Sequence, residues 1–303
     1  MRPSWLNSSN HMHFNSVGII AKTGSDQVLD SLRHVVEFLA GQDVDVVLET
    51  ESASMLGDDS RHCELAEMGD CCDLVIAVGG DGNILGAARA LAPAGVPILG
   101  VNRGRLGFLA DVSPHDIEPQ VGAVLAGDFV MEEHFLLEGQ VTGRSDVCSA
   151  LNEVLIHAAN MPKMIEFDLT IYDELVYTQH SDGLIISTPT GSTAYALSAG
   201  GPIMHPSIDA VVLVPMFPHT LTSRPLVIPG DFEMKVVIGS HNEVGARVSF
   251  DSQIEFEIEP GDELVVRKKK KRLKLIHPPG HSFYEVCRGK LDWASRVGDN
   301  GGD

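Results

Sequence analysis

The stretch that most constrains this chain is Asp73-Leu-Val-Ile-Ala-Val-Gly79-Gly80-Asp81-Gly82-Asn83-Ile84-Leu85. Leu74 to Val78 is apolar and partly β-branched, which predicts a strand buried on both faces. Two glycines stop it and let another molecule approach the backbone closely. Ile84, Leu85, Ala87, Ala88 and Leu91 then recur at helical spacing. A carboxylate therefore stands where a buried strand meets a helix start. Free N–H groups there favour phosphate oxygens, and that end of the strands is the usual ligand crevice of open α/β sheets. The same residues also suit an ordinary β–α turn with Asp81 as the helix cap. They are not a P-loop, since no Gly-Lys-Ser/Thr follows. Nor are they a dinucleotide fingerprint, since Leu85 stands where the third glycine belongs.

The flanking chain supplies more of the same pattern. Val17–Ala21 reads as a strand, Ser25 or Asp26 caps a helix carrying Val28, Leu32, Val35 and Leu39, and Gly41 stops it. Val44–Leu48 and Val96–Val101 are further strands, and Ile117, Val121, Val124 and Leu125 mark another helix. Residues 51–72 are polar and weakly periodic, with room for a short helix around Glu64. Strands alternating with helices predict a parallel sheet covered on both faces. Beyond about residue 130 the pattern becomes strand after strand: Phe135–Thr142, Ala150–His157, Glu166–Tyr172, Gly183–Ser187, Val211–Pro215, Met234–Ile238, Ala246–Phe250 and Ile254–Ile258. The only helical pattern there runs from Thr193 to Ala199. The fold class expected is an α/β N-terminal domain with a parallel sheet and a C-terminal all-β, sandwich-like domain. The expected boundaries are a flexible tail 1–15, an α/β domain 16–130, a β-rich domain 131–276, and a segment 277–303. Phe283–Trp293 of that last segment reads as partly helical, before a disordered Gly/Asp end.

Size and charge agree with two domains that each have a core: 303 residues, 44% apolar. A formal net charge of −20 argues against a general nucleic-acid binder. The six basic residues Arg267–Arg272 read accordingly as a solvated hairpin between Leu264–Val266 and Leu273–Ile276. The five cysteines include an adjacent pair and no Cys-x-x-Cys, so neither a disulfide framework nor a cysteine zinc site is suggested. No apolar run reaches membrane-spanning length, residues 1–15 lack the apolar centre of a signal peptide, and His11 and His13 read as part of a tail. The expected location is the cytoplasm.

A second stretch, Ser181 to Pro202, joins a buried strand to a loop dense in hydroxyls and glycines. It offers N–H and O–H donors to a polar, anionic ligand. With it, six motifs occur in order: Gly79–Gly82, Asn102–Leu109, Leu-Asn152-Glu153-Val, Ser181–Pro202, Pro215–Pro225 and Asp251-Ser-Gln253. Together, from about Val17 to Trp293, they resemble the bacterial-type NAD kinase family. The resemblance implies a last segment that returns to the first domain. It implies phosphoryl transfer from ATP to the 2′-hydroxyl of the adenosine ribose of NAD, with Mg²⁺ arriving with ATP and no dedicated metal site. It also implies a homo-oligomer, commonly a tetramer. Residue by residue, Asp81 resembles the catalytic acidic residue facing the ribose hydroxyl, with Gly82 beside the ligand, and Asn152 and Glu153 resemble the pair that holds the dinucleotide. Asp182, Thr190, Thr193, Ala194, Tyr195, Ala196, Leu197, Ser198 and Gln253 resemble further NAD contacts. Lys163 and His180 occupy ligand-adjacent positions. Arg is frequent in relatives at the position of His180, so the choice between NAD and NADH stays open. Two other readings are carried alongside: a lipid kinase of the related superfamily, which needs an apolar acceptor site, and a dinucleotide-binding regulator, which has no need of Asp81.

Overall fold

Leu74–Val78 forms a strand with all five residues buried, as its composition predicts. It lies inside a parallel sheet whose order is Leu273–His277, Ile98–Val101, Leu74–Val78, Ser16–Ala21, Asp45–Glu49, His62–Cys63. These positions come from a computed structural model that describes residues 14–22, 25–57, 61–102, 107–159 and 163–293. The helix Asp26–Ala40 begins where Ser25 accepts a hydrogen bond from the Val28 N–H. It ends at Gly41, and buries Val28, Leu32, Val35 and Leu39. With Ile19, Ile76, Leu99 and Val121 they make one apolar core, each fully buried Leu or Ile contributing about 1.5–3 kcal/mol. Phe14, placed in the flexible tail by the sequence, is 2% exposed and packs with Phe129 at 5.9 Å. Residues 1–13 of that tail, His11 and His13 included, lie outside the described residues. So do Arg103–Leu106 and the Gly/Asp end.

The chain divides into two compact units, Met1–Glu133 with Leu273–Asp303, and His134–Arg272. In the first unit Leu275 and Ile276, expected in the β-rich domain 131–276, pair instead with Ile98 and Leu99 of the α/β sheet. The second unit is antiparallel. Its six-stranded sheet runs Leu226–Pro229, Ala210–Met216, Gly183–Ser187, Glu153–Ala158, Ala246–Phe250, Ile254–Ile258. Strands Glu174–Ser181, Ile165–Ile171 and Met234–Ile238, with Glu263–Val266, make a second layer. Phe167, Leu169 and Val236 of that layer share a core with Val154, Ile186, Val248 and Phe250 of the first, which is the sandwich the alternation predicts.

Several expectations are corrected. The basic run does not turn. Glu263–His277 is one 15-residue strand, and its charges have partners that make an extended course stable. Arg267 bonds Glu138 at 2.8 Å, Lys268 bonds both oxygens of Asp209 and lies 5.0 Å over the Phe135 ring, and Lys269 donates to Ser149. The expected strand Ala150–His157 is broken at Leu151-Asn152, whose N–H groups bond the Asp251 carboxylate instead of a neighbouring strand. No helix centres on Glu64; short helices occupy Thr50–Leu56 and Met68–Cys71. Thr193–Ala199 splits into a 3₁₀ turn, Gly191–Thr193, and one helical turn, Tyr195–Ser198. Among the strands not foreseen are His62–Cys63 and Val147–Ala150, and two more. Glu174–Ser181 is largely exposed and polar, and Leu226–Pro229 ends on a proline at a sheet edge.

The partners of the basic strand separate two neighbouring lysines. Lys268→Ala is expected to cost about 1–2 kcal/mol, losing an ion pair and a cation–π contact together. Exposed Lys270→Ala is expected to stay within about 0.5 kcal/mol. Urea unfolding of both variants checks this, and equal costs would remove the special role of Lys268.

Candidate active site

Asp81 opens the helix Asp81–Leu91, but it does not cap it; Gly80 holds the cap position, and no side chain caps the helix. The Asp81 carboxylate turns instead to the segment after Gly107. It accepts N–H bonds from Phe108 (2.9 Å), Leu109 (3.2 Å) and Ala110 (3.1 Å). Gly107 makes this possible, because a Cβ there would meet Asp81 Oδ1. Asn83 ties the turn to the sheet by donating to the Val78 and Ile20 carbonyls. The result is an oriented carboxylate on a cavity of about 450 Å³, lined also by Ser25, Gly80, Asn102, Gly107 and Lys290. Gly82 is exposed beside it.

In the second unit another turn carboxylate does the same work. Asp251, at φ +52° and 4% exposed, accepts the N–H groups of Leu151, Asn152 and Glu153 at 2.9, 2.7 and 3.3 Å. The Asn152 carbonyl in turn accepts from the Thr188 N–H and Ser187 Oγ. Gly191 lies so close that a Cβ would meet that carbonyl. Glu153 is left buried with Oε2 lacking a hydrogen-bond partner. Burial, and then the charge of Asp251, push its carboxyl up from 4.5 to about 7.

The hydroxyl-rich loop behaves differently from a plain row of donors. Thr188 Oγ1 donates to Leu151 O, Ser192 Oγ to Pro189 O, and Thr193 Oγ1 to Thr190 O. Thr190 Oγ1 lies 2.8 Å from His134 Nδ1 and is buried. These groups build the loop. What the segment leaves open is Tyr195 and Ser198, exposed, and Thr193, Ala194 and Leu197, half-buried; Ala196 is buried. Asp182 is half-buried, its N–H bonded to the Met216 carbonyl. Gln253 is exposed on the Asp251 turn. Lys163 is exposed and paired with Glu243 at 2.7 Å. His180 is exposed on its strand, 6.2 Å from the His219 ring. The structure thus gathers Asn152, Glu153, Thr190 and Thr193 around the 188–193 loop.

The family profiles of the ATP-NAD kinase N-terminal domain and the ATP-NAD kinase C-terminal domain match residues 17–129 and 151–278. The chain belongs to the NAD kinase family. Proteins named NAD kinase from Teredinibacter turnerae and Pseudomonas paraeruginosa are 51% and 50% identical to it. The first covers 94% of this chain and 99% of its own length, the second 96% and 99%. An NAD kinase from Archaeoglobus fulgidus solved in complex with ATP aligns with TM-score 0.73 at 25% identity, over 91% of this chain and 98% of that one. A yeast NADH kinase solved with NADH aligns with TM-score 0.85 at 24% identity, over 94% and 90%, and shows the shared fold. Three residues of the two candidate sites were not singled out from sequence. Gly107 and Asp251 stood inside motifs already visible, as a glycine before Phe108 and as the acid of Asp251-Ser-Gln253. Lys290 had no signal, since only folding brings the last helix to the cavity.

The Glu153 environment has a consequence for stability. A carboxyl whose pKa is raised on folding binds its proton more tightly in the native state. The stability that Glu153 contributes is therefore fully present below the unfolded value of 4.5 and is lost as pH rises through about 7, by roughly 3 kcal/mol in all. Glu153→Gln carries no charge to desolvate. In unfolding titrations without ligand it is expected to flatten that decline, and an unchanged pH profile would place the Glu153 carboxyl in a wetter environment.

Proposed function

We propose that the chain transfers the γ-phosphoryl group of ATP to the 2′-hydroxyl of the adenosine ribose of NAD, giving NADP and ADP. The observation that carries this reading is the Asp81 carboxylate, fixed by three N–H groups on a cavity that also presents a helix N-terminus and Lys290. Phosphoryl transfer asks for alignment and charge stabilisation more than for covalent chemistry. A carboxylate has about four lone-pair sites. Three are taken by the backbone, which leaves about one to accept the hydroxyl proton as the ribose oxygen bonds to phosphorus and the bond to ADP breaks. The first-turn N–H groups and the Lys290 ammonium suit the phosphate oxygens. Mg²⁺ enters as part of the ATP substrate, bridging phosphate oxygens and neutralising their charge. The N–H bonds to Asp81 leave that carboxylate little to offer an ion, which fits a metal held by the substrate.

Asn152 and Glu153 hold the dinucleotide in this reading. With its carboxyl pushed up to about 7 by burial, Glu153 can either donate to or accept from a ligand hydroxyl. Asp182, Thr193–Ser198 and Gln253 line the same ligand, Thr190 positions their loop through His134, and Lys163 and His180 stand at its edge. The protein works as a homo-oligomer, a tetramer, in the cytoplasm. Phe217, Leu221 and Val227 of the second unit, 75%, 91% and 48% exposed, give an apolar surface suited to a second subunit. Among the described residues no helix is long and apolar enough to cross a membrane.

Purified protein given ATP, Mg²⁺ and NAD is expected to form NADP, and to leave diacylglycerol and sphingosine unphosphorylated. Asp81→Asn is expected to lose about 10²–10⁴ in kcat while calorimetry still shows NAD binding; near-full turnover in that variant would take Asp81 out of the mechanism. His180 tests the choice between NAD and NADH, which differ by one charge and by the planarity of the nicotinamide ring. Arg in that position is bulkier and always cationic. His180→Arg is expected to raise the NAD/NADH ratio of kcat/KM by about tenfold, and an unchanged ratio would assign the choice to Asp182 or the 193–198 segment.

A further inference from the structure

The three N–H groups that fix Asp81 come from consecutive residues, and a second buried carboxylate follows them directly in the chain. Phe108, Leu109 and Ala110 give their N–H groups to Asp81, so those donors do not pair with a strand. Sheet pairing resumes at Val112, which bridges to Val101, gives its N–H to the Gly100 carbonyl and accepts from the Asn102 N–H. Asp111 stands between. Its Oδ2 lies 3.1 Å from His277 Nδ1 and 2.7 Å from His281 Nδ1. The side chains of Asp111, His277 and His281 are all at least nine-tenths buried.

An ionised carboxylate only accepts, so each imidazole carries a hydrogen on Nδ1 and donates it to the same oxygen. The rings stack to do so, with centroids 3.7 Å apart and planes 18° from parallel. Glu132 faces their other edge at 3.7 and 4.0 Å, beyond hydrogen-bond reach, so Asp111 is the acceptor that orients both rings. Burial by itself would raise the Asp111 carboxyl, but the hydrogen bonds and charge of the two imidazoles outweigh it and hold the group well below the usual carboxylate range. The acceptor is therefore charged at neutral pH, and hydrogen bonds to a charged acceptor are stronger than those to a neutral one.

The two histidines come from the other end of the chain. His277 ends the strand whose Leu275 and Ile276 pair with Ile98 and Leu99. His281 closes a turn by giving its N–H to the Pro278 carbonyl, and the helix Phe283–Leu291 follows. Val286 and Cys287 of that helix are buried, and Lys290 lines the Asp81 cavity. We propose that Asp111 is a positioning residue for Asp81. Held by His277 and His281, it fixes residues 107–110 so that their N–H groups orient the Asp81 carboxylate, and it ties them to the helix that brings Lys290 to the same cavity. It touches no substrate in this role. The inference rests on the phosphoryl-transfer reading of that cavity, in which a misplaced group lowers the rate more than the binding.

The test uses the full chain and the variants Asp111→Ala, His281→Leu and His281→Asn; asparagine places a donor where the imidazole has its Nδ1–H. Hydrogen exchange without ligand, read peptide by peptide by mass spectrometry, is expected to speed up about tenfold over residues 107–112 in Asp111→Ala and His281→Leu. The helix Asp26–Ala40 is expected to exchange as in the native chain, and His281→Asn to restore native exchange over 107–112. With ATP, Mg²⁺ and NAD, the first two variants are expected to lose about 10–100-fold in kcat with KM for NAD within about twofold, and His281→Asn to recover most of the rate. Unchanged exchange over 107–112 in folded His281→Leu would overturn the proposal. So would exchange raised equally throughout the chain, the sign of a merely structural role, or a rise in KM with kcat intact. A native chain that forms no NADP would remove the kinase reading instead, and the exchange measurement would still decide whether Asp111 fixes residues 107–110.

Discussion

Both candidate sites depend on one interaction: a carboxylate from a tight turn that collects successive backbone N–H groups from a distant segment. Asp81 collects those of Phe108, Leu109 and Ala110, and Asp251 those of Leu151, Asn152 and Glu153. Buried N–H groups without acceptors are costly, and a charged acceptor gives stronger bonds than a neutral one. Each carboxylate therefore fixes a piece of irregular backbone that no neighbouring strand pairs. In the first unit the carboxylate itself is the proposed chemical group, held in place by what it holds. In the second the carboxylate is the support, and the residues it supports, Asn152 and Glu153, are the ones proposed to hold the dinucleotide.

The same interaction marks where the sequence was readable. Apolar runs with clear ends gave Leu74–Val78, Gly183–Ser187, Met234–Ile238, Ala246–Phe250 and Ile254–Ile258 at their observed bounds. Each turns alternate or most of its residues toward the core, and burial is what periodicity reports. Glu174–Ser181 was missed because most of its side chains face water, so its strand character rests on backbone pairing with Ile165–Ile171. The break at Leu151-Asn152 was missed because the residue causing it, Asp251, is about a hundred positions away. The basic run was misread because six like charges suggest solvent. Asp209 and Glu138 are supplied by other strands and loops, and no local pattern announces them.

The candidate site was legible as motifs and less legible as roles. Gly79–Gly82 and Asn152-Glu153 were visible, and Asp81 does sit on a cavity suited to phosphates. The reading of Ser181–Pro202 as a segment of ligand donors left out that its loop needs its own hydrogen bonds. Ser187, Thr188, Ser192 and Thr193 use their hydroxyls to close it. Small polar residues often stabilise turns in this way, so hydroxyl density alone cannot tell a built loop from a binding one.

The charge of the chain adds a constraint on how an anionic ligand is held. With a net charge of −20, the mean field opposes a nucleotide's approach. Many of the cations are also engaged: Lys163 with Glu243, Lys235 with Asp173, Arg247 with Glu257, Arg267 with Glu138, Lys268 with Asp209. Attraction for phosphate must then come from groups that carry no net charge into the balance, backbone N–H donors at a helix start, helped by a cation placed at short range. The Asp81 cavity has both, in the first turn of Asp81–Leu91 and in Lys290. Short-range donors of fixed direction reward a correctly placed phosphate and contribute little to one a few ångströms away. An acidic protein can therefore bind anionic substrates at one place while its surface at large repels them.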